Sequence, residues 1–369
     1  MIKICMRLRM VKSTHASRRR LVLVAGATAF VLIGIIVFIS HLMSIRDYSS
    51  SEAWKMLSES VYEKADPNDE YRFPLFAKNA LIGQGKRFDE IKYGKFLKEW
   101  KLRDCDVYER NPVNESETVI IMYSSSNHYD EAKAALVSWR SQTNMIIVFY
   151  DIGLTKRQRD ELTTVCQLEL RKFDFNKYPD YVQTLSEYRF KAIILAEVFS
   201  EFRSFYFFDT STRSKGQLPE FFKQASEKST SPFALGESAG HSIFAATNPG
   251  MYAYLPLSTE NAFSDMRLTT FFVQQSTYSR DIAKWYALCA LEKDCMVPSK
   301  SRLYCNFGDD RQSTYAQCHR YDQSAMNIIV ASLNEKTEYS GFENINMTMF
   351  LSTQREDYYS GELKRLTCR

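Results

Sequence analysis

From residue 118 onward, short unbroken apolar runs alternate with amphipathic stretches, and this alternation predicts a mainly parallel α/β sheet. Residues 118–123, Thr-Val-Ile-Ile-Met-Tyr, form a continuous β-branched and apolar run of the kind a strand covered on both faces requires. Ala132, Ala135, Leu136 and Trp139 then recur at helical spacing, with Asp130 and Glu131 placed in the first turn, where the helix dipole favours acids. A second run at 145–150 ends at Asp151, and Thr155 with Gln158 has the pattern of a capping box that starts another helix. A third strand is expected at 168–173. The stripe Ala192, Leu195, Ala196 and Phe199 predicts the next helix, which leads into a strand at 204–208 that stops at Asp209. Open α/β sheets bind ligands beyond the carboxyl ends of their strands, so Ser124, Asp151 and Asp209 are expected to be neighbours at one edge.

On either side the pattern loosens. Residues 41–115 are polar and turn-rich and read as a stem and lead-in, with helical patches at 52–63 and 88–100. After Leu218-Pro219, short strands are expected at 233–235, 241–246 and 268–274, then a helix carrying Ile282, Trp285, Tyr286 and Cys289. A last apolar helix runs through Ala325, Ile328 and Ile329. The α/β domain is therefore expected at 116–335 and a C-terminal extension at 336–369.

The formal charge of +4 over 369 residues changes its meaning once it is divided along the chain. Residues 1–20 carry seven cations and no acid, leaving 41 basic against 44 acidic residues beyond them, so the excess is a tail and not a nucleic-acid surface. Residues 21–39 carry no charge, and as a helix they span about 28 Å, the thickness of a hydrocarbon core. The positive-inside rule then makes 1–20 a cytosolic tail and 21–40 the bilayer anchor of a type II protein, with the remainder lumenal in the secretory pathway, expected in the Golgi. Cys105, Cys166, Cys289, Cys295, Cys305, Cys318 and Cys368 would face an oxidising compartment, and their odd number leaves at least one unpaired within the chain. The four between 289 and 318 lack any C-x-x-C pair, which favours disulfides over zinc. Asn114 and Asn346 head glycosylation sequons.

Asp209 is followed by Thr210, Ser211 and Thr212, which could close a turn around it, but Arg213 and Lys215 add positive charge nearby. A second polar group, His319-Arg320-Tyr321-Asp322-Gln323, opens a helix, a position that favours anions. Tyr150-Asp151-Ile152-Gly153-Leu154-Thr155, Tyr188-Arg189-Phe190-Lys191, Phe207-Phe208-Asp209-Thr210-Ser211, His241-Ser242-Ile243-Phe244 and the segment from His319 to Asn327 resemble a family of single-span proteins expanded in nematodes, over residues 90–335. More distantly, the order strand-Asp-Gly-Leu, strand-Asp-hydroxyl, then Asp-Gln-Ser-Ala-Met-Asn is similar to glycogenin-like glycosyltransferases of the GT-A fold.

That resemblance implies a sugar transfer from a nucleotide sugar to a glycan or glycoprotein acceptor. It implies catalytic roles for Asp209, Asp322 and Gln323, and donor contacts from Ser124, Ser125, Lys191, Ser211, Arg213 and Arg320. In the GT-A motif Asp-x-Asp, two carboxylates hold Mn²⁺ or Mg²⁺ on the diphosphate; here position 211 is serine. Three readings stay open. Asp209 could bind a metal with help from Ser211, His319 or His241; basic residues Lys191, Arg213 and Arg320 could hold the diphosphate without metal; or the scaffold could bind a glycan or protein without turnover.

Overall fold

The computed structural model describes residues 49–58, 65–227, 230–336, 347–355, 363 and 366. The expected tail and membrane span at 1–40 lie outside these residues, as do Cys368 and Asn346. Among the described residues no helix is long and apolar enough to cross a membrane.

The described residues of the stretch expected as a stem are folded. After helix α1 (Ser50–Ser58), strands β1 (Arg72–Ala77) and β2 (Ala80–Arg87) form an antiparallel hairpin, and Asp89 caps α2 (Glu90–Glu99). Phe73 and Phe88 are wholly buried, both against the ring of Trp285, at 5.4 and 6.1 Å between centroids. A polar composition hid this because the few aromatic anchors are spaced irregularly. β2 lies so close to a neighbouring loop that a Cβ on Gly85 would fall 2.1 Å from the Tyr254 carbonyl oxygen. Gly85→Ala is expected to lower stability by about 1–3 kcal/mol, read as a shifted urea midpoint. Gly308→Ala, whose Cβ would meet nothing within 4 Å, serves as the near-neutral control.

The α/β series follows as its periodicity predicts: β3 (Thr118–Ser124), α3 (Tyr129–Arg140), β4 (Ile147–Asp151), α4 (Lys156–Leu162) behind the Thr155–Gln158 capping box, β5 (Leu168–Lys172), α5 (Arg189–Phe199) and β6 (Ser204–Phe207). These strands pair in parallel, and β3 is buried along its whole length because the sheet is covered on both faces. Period-two alternation sorts the aromatics of β6 and its end. Tyr206 and Phe208 point to one face and pack on Trp139, Phe208 at 4.7 Å, while Phe207 points to the other and stacks on Phe271. These rings are core.

After β6 the chain forms β7 (Thr212–Ser214), α6 (Leu218–Ala225), β8 (Phe233–Leu235), β9 (Ser238–Ser242), β10 (Asp265–Arg267) and β11 (Phe271–Gln274). The central sheet has the order β5-β4-β3-β6-β11-β8, with β11 antiparallel to both neighbours. Two expected strands differ in detail: 241–246 gives only the end of β9 before a 3₁₀ turn at Phe244–Ala246, and of 268–274 only Phe271–Gln274 is strand, residues 268–270 forming the loop that follows β10. Helices α7 (Thr277–Leu291) and α8 (Tyr321–Asn334) follow, and β12 (Leu351–Thr353) pairs with β7, so part of the expected C-terminal extension belongs to the folded unit. Cys289–Cys295 and Cys305–Cys318 are disulfides, Cys166 is disulfide-bonded, and Cys105 is an exposed free thiol.

Candidate functional site

The carboxyl ends of β3 and β6, the first turns of α5 and α8, the loop between β10 and β11, and the segment 303–311 enclose an open cleft of about 880 Å³. At its floor Lys191 Nζ lies 2.8 Å from Asp209 Oδ1 and 2.9 Å from Asp322 Oδ2. The Tyr123 hydroxyl also donates to Asp209 Oδ1, and Thr269 Oγ1 donates to Asp322 Oδ2 at 3.0 Å. The rings of Tyr188 and Tyr123 lie 4.7 and 5.7 Å from the same ammonium. Asp209 and Asp322, 113 residues apart in the chain, thus meet on one lysine.

Local backbone explains the aim of these groups. The Thr212 N–H closes a turn on the Asp209 carbonyl, which leaves the carboxylate free to face the cleft. Tyr188 (φ 56°) and Tyr321 (φ 34°), the residues at the starts of α5 and α8, both hold left-handed backbone. Such conformations cost about 1–3 kcal/mol each in non-glycine residues and gather at functional sites. Here they turn the chain so that Lys191 and Asp322 enter the cleft from two helices.

The electrostatics separate the two acids. Burial acts to raise the pKa of Asp209, but the Lys191 charge and the hydrogen bonds from Lys191 and Tyr123 prevail and hold it below the usual carboxylate range. Burial raises Asp322 and the Asp209 charge adds to it, so that even with Lys191 opposing, its pKa stays above the usual range. For Lys191 the two carboxylates overcome burial and raise its pKa. Burial and the Asp209 charge push Tyr123 well up, so it remains a neutral donor.

Several expected residues line this cleft: Ser124, Ser125, Lys191, Asp209, Ser211, Arg320, Asp322 and Gln323. The amide of Gln323 donates to the Arg267 carbonyl at 3.0 Å. Others stand elsewhere. Arg213 is buried, and its guanidinium donates to the Thr210 and Thr212 carbonyls, so it braces the turn after Asp209 and does not face the cleft. His319 is wholly buried, with Nδ1 accepting from the Asn248 N–H and Nε2 donating to the Met296 carbonyl. Burial pushes its pKa down to about 3. With both nitrogens taken it is a core histidine and no metal ligand. His241 stacks on Phe307 with Nδ1 against the Ser242 carbonyl, and Asp151 accepts from the Gly153 and Leu154 N–H groups as a turn acid. Asn114 is exposed and caps the short turn Glu115–Glu117.

Sequence reasoning missed Tyr123, Tyr188, Thr269, Arg311 and Arg355, all of which line the cleft. The position of Tyr123 at the end of the first strand was a usable signal. Arg311 and Arg355 lie in irregular segments with no pattern to single them out.

The donor set does not fit a divalent ion. Asp209 Oδ1 is taken by an ammonium and a hydroxyl, residue 211 offers no carboxylate, and among the described residues no three His, Cys, Asp or Glu converge.

Fold and cleft together define an α/β protein with a mainly parallel central sheet and a ligand cleft at the strands' carboxyl ends. Within it, residues 70–196 match a family model described as "Protein of unknown function (DUF1647)". Among curated proteins none matches. Solved structures with partial similarity include the WbbM bifunctional glycosyltransferase in its apo form, at 16% identity and TM-score 0.35, over 59% of this chain and 38% of that one. The galactosyltransferase LgtC, solved with donor and acceptor sugar analogues, is 10% identical at TM-score 0.30, over 44% of this chain and 59% of that one. The mannosyltransferase Ktr4p from S. cerevisiae is 10% identical at TM-score 0.33, over 64% and 76%. This chain therefore spans less than two thirds of the length of the first two, and likenesses at these scores carry no inference about activity.

Proposed function

We propose that this protein is a glycosyltransferase that moves a sugar from a nucleotide sugar to a glycan or glycoprotein acceptor. One observation carries the reading: a single cleft holds an ionised carboxylate, Asp209, together with the guanidinia of Arg311, Arg320 and Arg355. Glycosyl transfer breaks the bond between the anomeric carbon and a diphosphate oxygen, and the electron pair leaves with the oxygen. Positive charge develops on the sugar ring and negative charge on the diphosphate. Carboxylate and guanidinia in one cleft match that pair of charges. The acceptor hydroxyl forms the new carbon–oxygen bond and its proton ends on water. The similarity of the order strand-Asp-Gly-Leu, strand-Asp-hydroxyl and then Asp-Gln-Ser-Ala-Met-Asn, residues 322–327, to glycogenin-like enzymes supports the same reading.

The protein's place is the secretory pathway, in the Golgi, anchored through residues 21–40 with the N-terminus cytosolic. The uncharged run, the basic tail before it and the disulfides Cys289–Cys295 and Cys305–Cys318 support this placement. Glycans on Asn114 and Asn346 would follow from it.

The test is a donor panel. Purified full-length chain is incubated with common nucleotide sugars, with and without Mn²⁺, and followed by thermal shift and by release of nucleoside diphosphate. One donor is expected to raise the melting temperature and to be slowly hydrolysed; silence across the panel in both media defeats the proposal. The engagement of Asp209 Oδ1 by both Lys191 and Tyr123 favours a second reading, a glycan- or protein-binding module without turnover. That reading expects glycan binding without hydrolysis, unchanged in Asp209→Asn.

A further inference from the structure

We propose that this cleft holds the donor's diphosphate without a divalent cation, using Arg311, Arg320 and Arg355 for the phosphates while Lys191 occupies the position between the two carboxylates. The inference rests on the transferase reading and names the groups that bind its substrate's leaving group.

The first support is the place already taken by Lys191. Its ammonium bridges Asp209 Oδ1 and Asp322 Oδ2 at 2.8 and 2.9 Å, which is the bridging position a metal shared by two carboxylates would need. Oxygen ligands approach Mg²⁺ or Ca²⁺ within about 2.0–2.6 Å, so an ion on these oxygens would be forced against a fixed positive charge. Ser211 removes the other carboxylate that could have drawn an ion to one side of the lysine.

The second support is a set of cations without counter-ions. Among the described residues none of Arg311, Arg320 and Arg355 is in an ion pair with a carboxylate, although all three line the cleft. Arg320 Nε is buried and has no hydrogen-bond partner. Burial first, and then the positive charge of Arg355 with a smaller part from Arg311, outweigh Tyr188 and Asp322 and hold the Arg320 pKa below its ordinary value, which places Arg355 and Arg311 within electrostatic reach of Arg320. The Arg311 guanidinium carbon also lies over the ring of Phe307, 4.4 Å from its centroid. Buried or crowded guanidinia are costly unless an anion joins them, and their planar forks match phosphate oxygens in bidentate geometry. A diphosphate brings the negative charge that this cluster lacks. Asp322 and Asp209 reach Arg320 and Arg355 electrostatically, but the direct contacts of both carboxylates are with Lys191.

The segment 303–311 that carries Arg311 is tied down by the Cys305–Cys318 disulfide, and Arg355 follows β12, which is paired to β7. Both arginines therefore reach the cleft from anchored backbone.

The test titrates purified full-length chain with uridine, guanosine and adenosine diphosphates and with inorganic diphosphate, in excess EDTA and again in Mn²⁺. The preferred nucleotide is expected to bind in EDTA within a factor of about three of its affinity in Mn²⁺, and Arg355→Ala and Arg311→Ala are each expected to weaken it about tenfold. Both side chains belong to exposed residues, so these variants remain informative if Arg320→Ala does not fold. Arg320→Lys is expected to retain partial binding. Binding that appears only with Mn²⁺ or Mg²⁺, or binding in EDTA that both arginine variants leave unchanged, overturns the inference while the transferase reading stands. No nucleoside diphosphate binding in either medium overturns both.

Discussion

Asp209→Asn is expected to slow donor turnover by about 10²–10³-fold while the domain stays folded, because it removes one charge and almost no volume. The amide oxygen can still accept from Lys191 and Tyr123, so the geometry of the floor is retained. What disappears is the negative charge facing a sugar that becomes positive in the transition state. Fixed charges aimed at developing charge are worth about 3–4 kcal/mol when removed. The stability cost is smaller: the Asp209 side chain is 36% exposed, so solvent screens its pairing with Lys191, and Lys191 keeps Asp322. The measurement is single-turnover hydrolysis of the preferred donor beside a thermal melt. Turnover within about threefold of the parent, with an intact melt, would move Asp209 from chemistry to scaffolding.

The second large effect is on stability. Lys191→Met leaves Asp322 buried without its ammonium, and breaking a buried pair in this way costs about 3–5 kcal/mol. The side chains of Lys191 and Asp322 are 5% and 7% exposed, so this contact, unlike the one with Asp209, is not discounted by solvent. The sign of the pH dependence follows from the three shifts. Asp322 has a folded pKa above its unfolded value, so its ionisation opposes folding, and loss of Lys191 raises that pKa further. Asp209 has a lowered pKa and contributes stability above its unfolded value that is lost as pH falls through the folded one. Lys191, with its raised pKa, contributes below its unfolded value and stops contributing as pH rises through the folded one. In the variant a proton on Asp322 relieves the unpaired charge, so the stability gap from the parent is expected to narrow from neutrality to about pH 5. Urea unfolding at both pH values reads this directly. A gap that widens on acidification would show that Asp322 is not the group left uncompensated.

These two predictions depend on residues whose visibility in the sequence was unequal. Asp209 announces itself because a run of four aromatics stops at a carboxylate, and a strand buried on both faces must stop where its ligand edge begins. Asp322 stands at a recognisable helix start. Lys191 was reached only through its neighbours Tyr188, Arg189 and Phe190, and nothing local distinguishes its ammonium from a solvated one. Arg213, adjacent to the same turn, looked the better cation and instead braces backbone carbonyls. For His319 the sequence left both readings open, a histidine beside a cysteine being more often structural than a ligand, and both its nitrogens are on backbone groups.

The sequence by itself determined the α/β series from β3 to β6, the ends of its strands, the turn at Asp209 and the missing carboxylate at Ser211, because each depends on periodicity or chemistry within a few residues. Tertiary structure alone decided that 72–87 is a folded hairpin, that β11 enters the sheet antiparallel, and that Lys191 meets both Asp209 and Asp322. It also brought Arg311 and Arg355 to the same cleft. Those outcomes come from contacts between segments far apart in the chain, whose strength is set by burial and by the company each charge keeps, and local pattern carries neither.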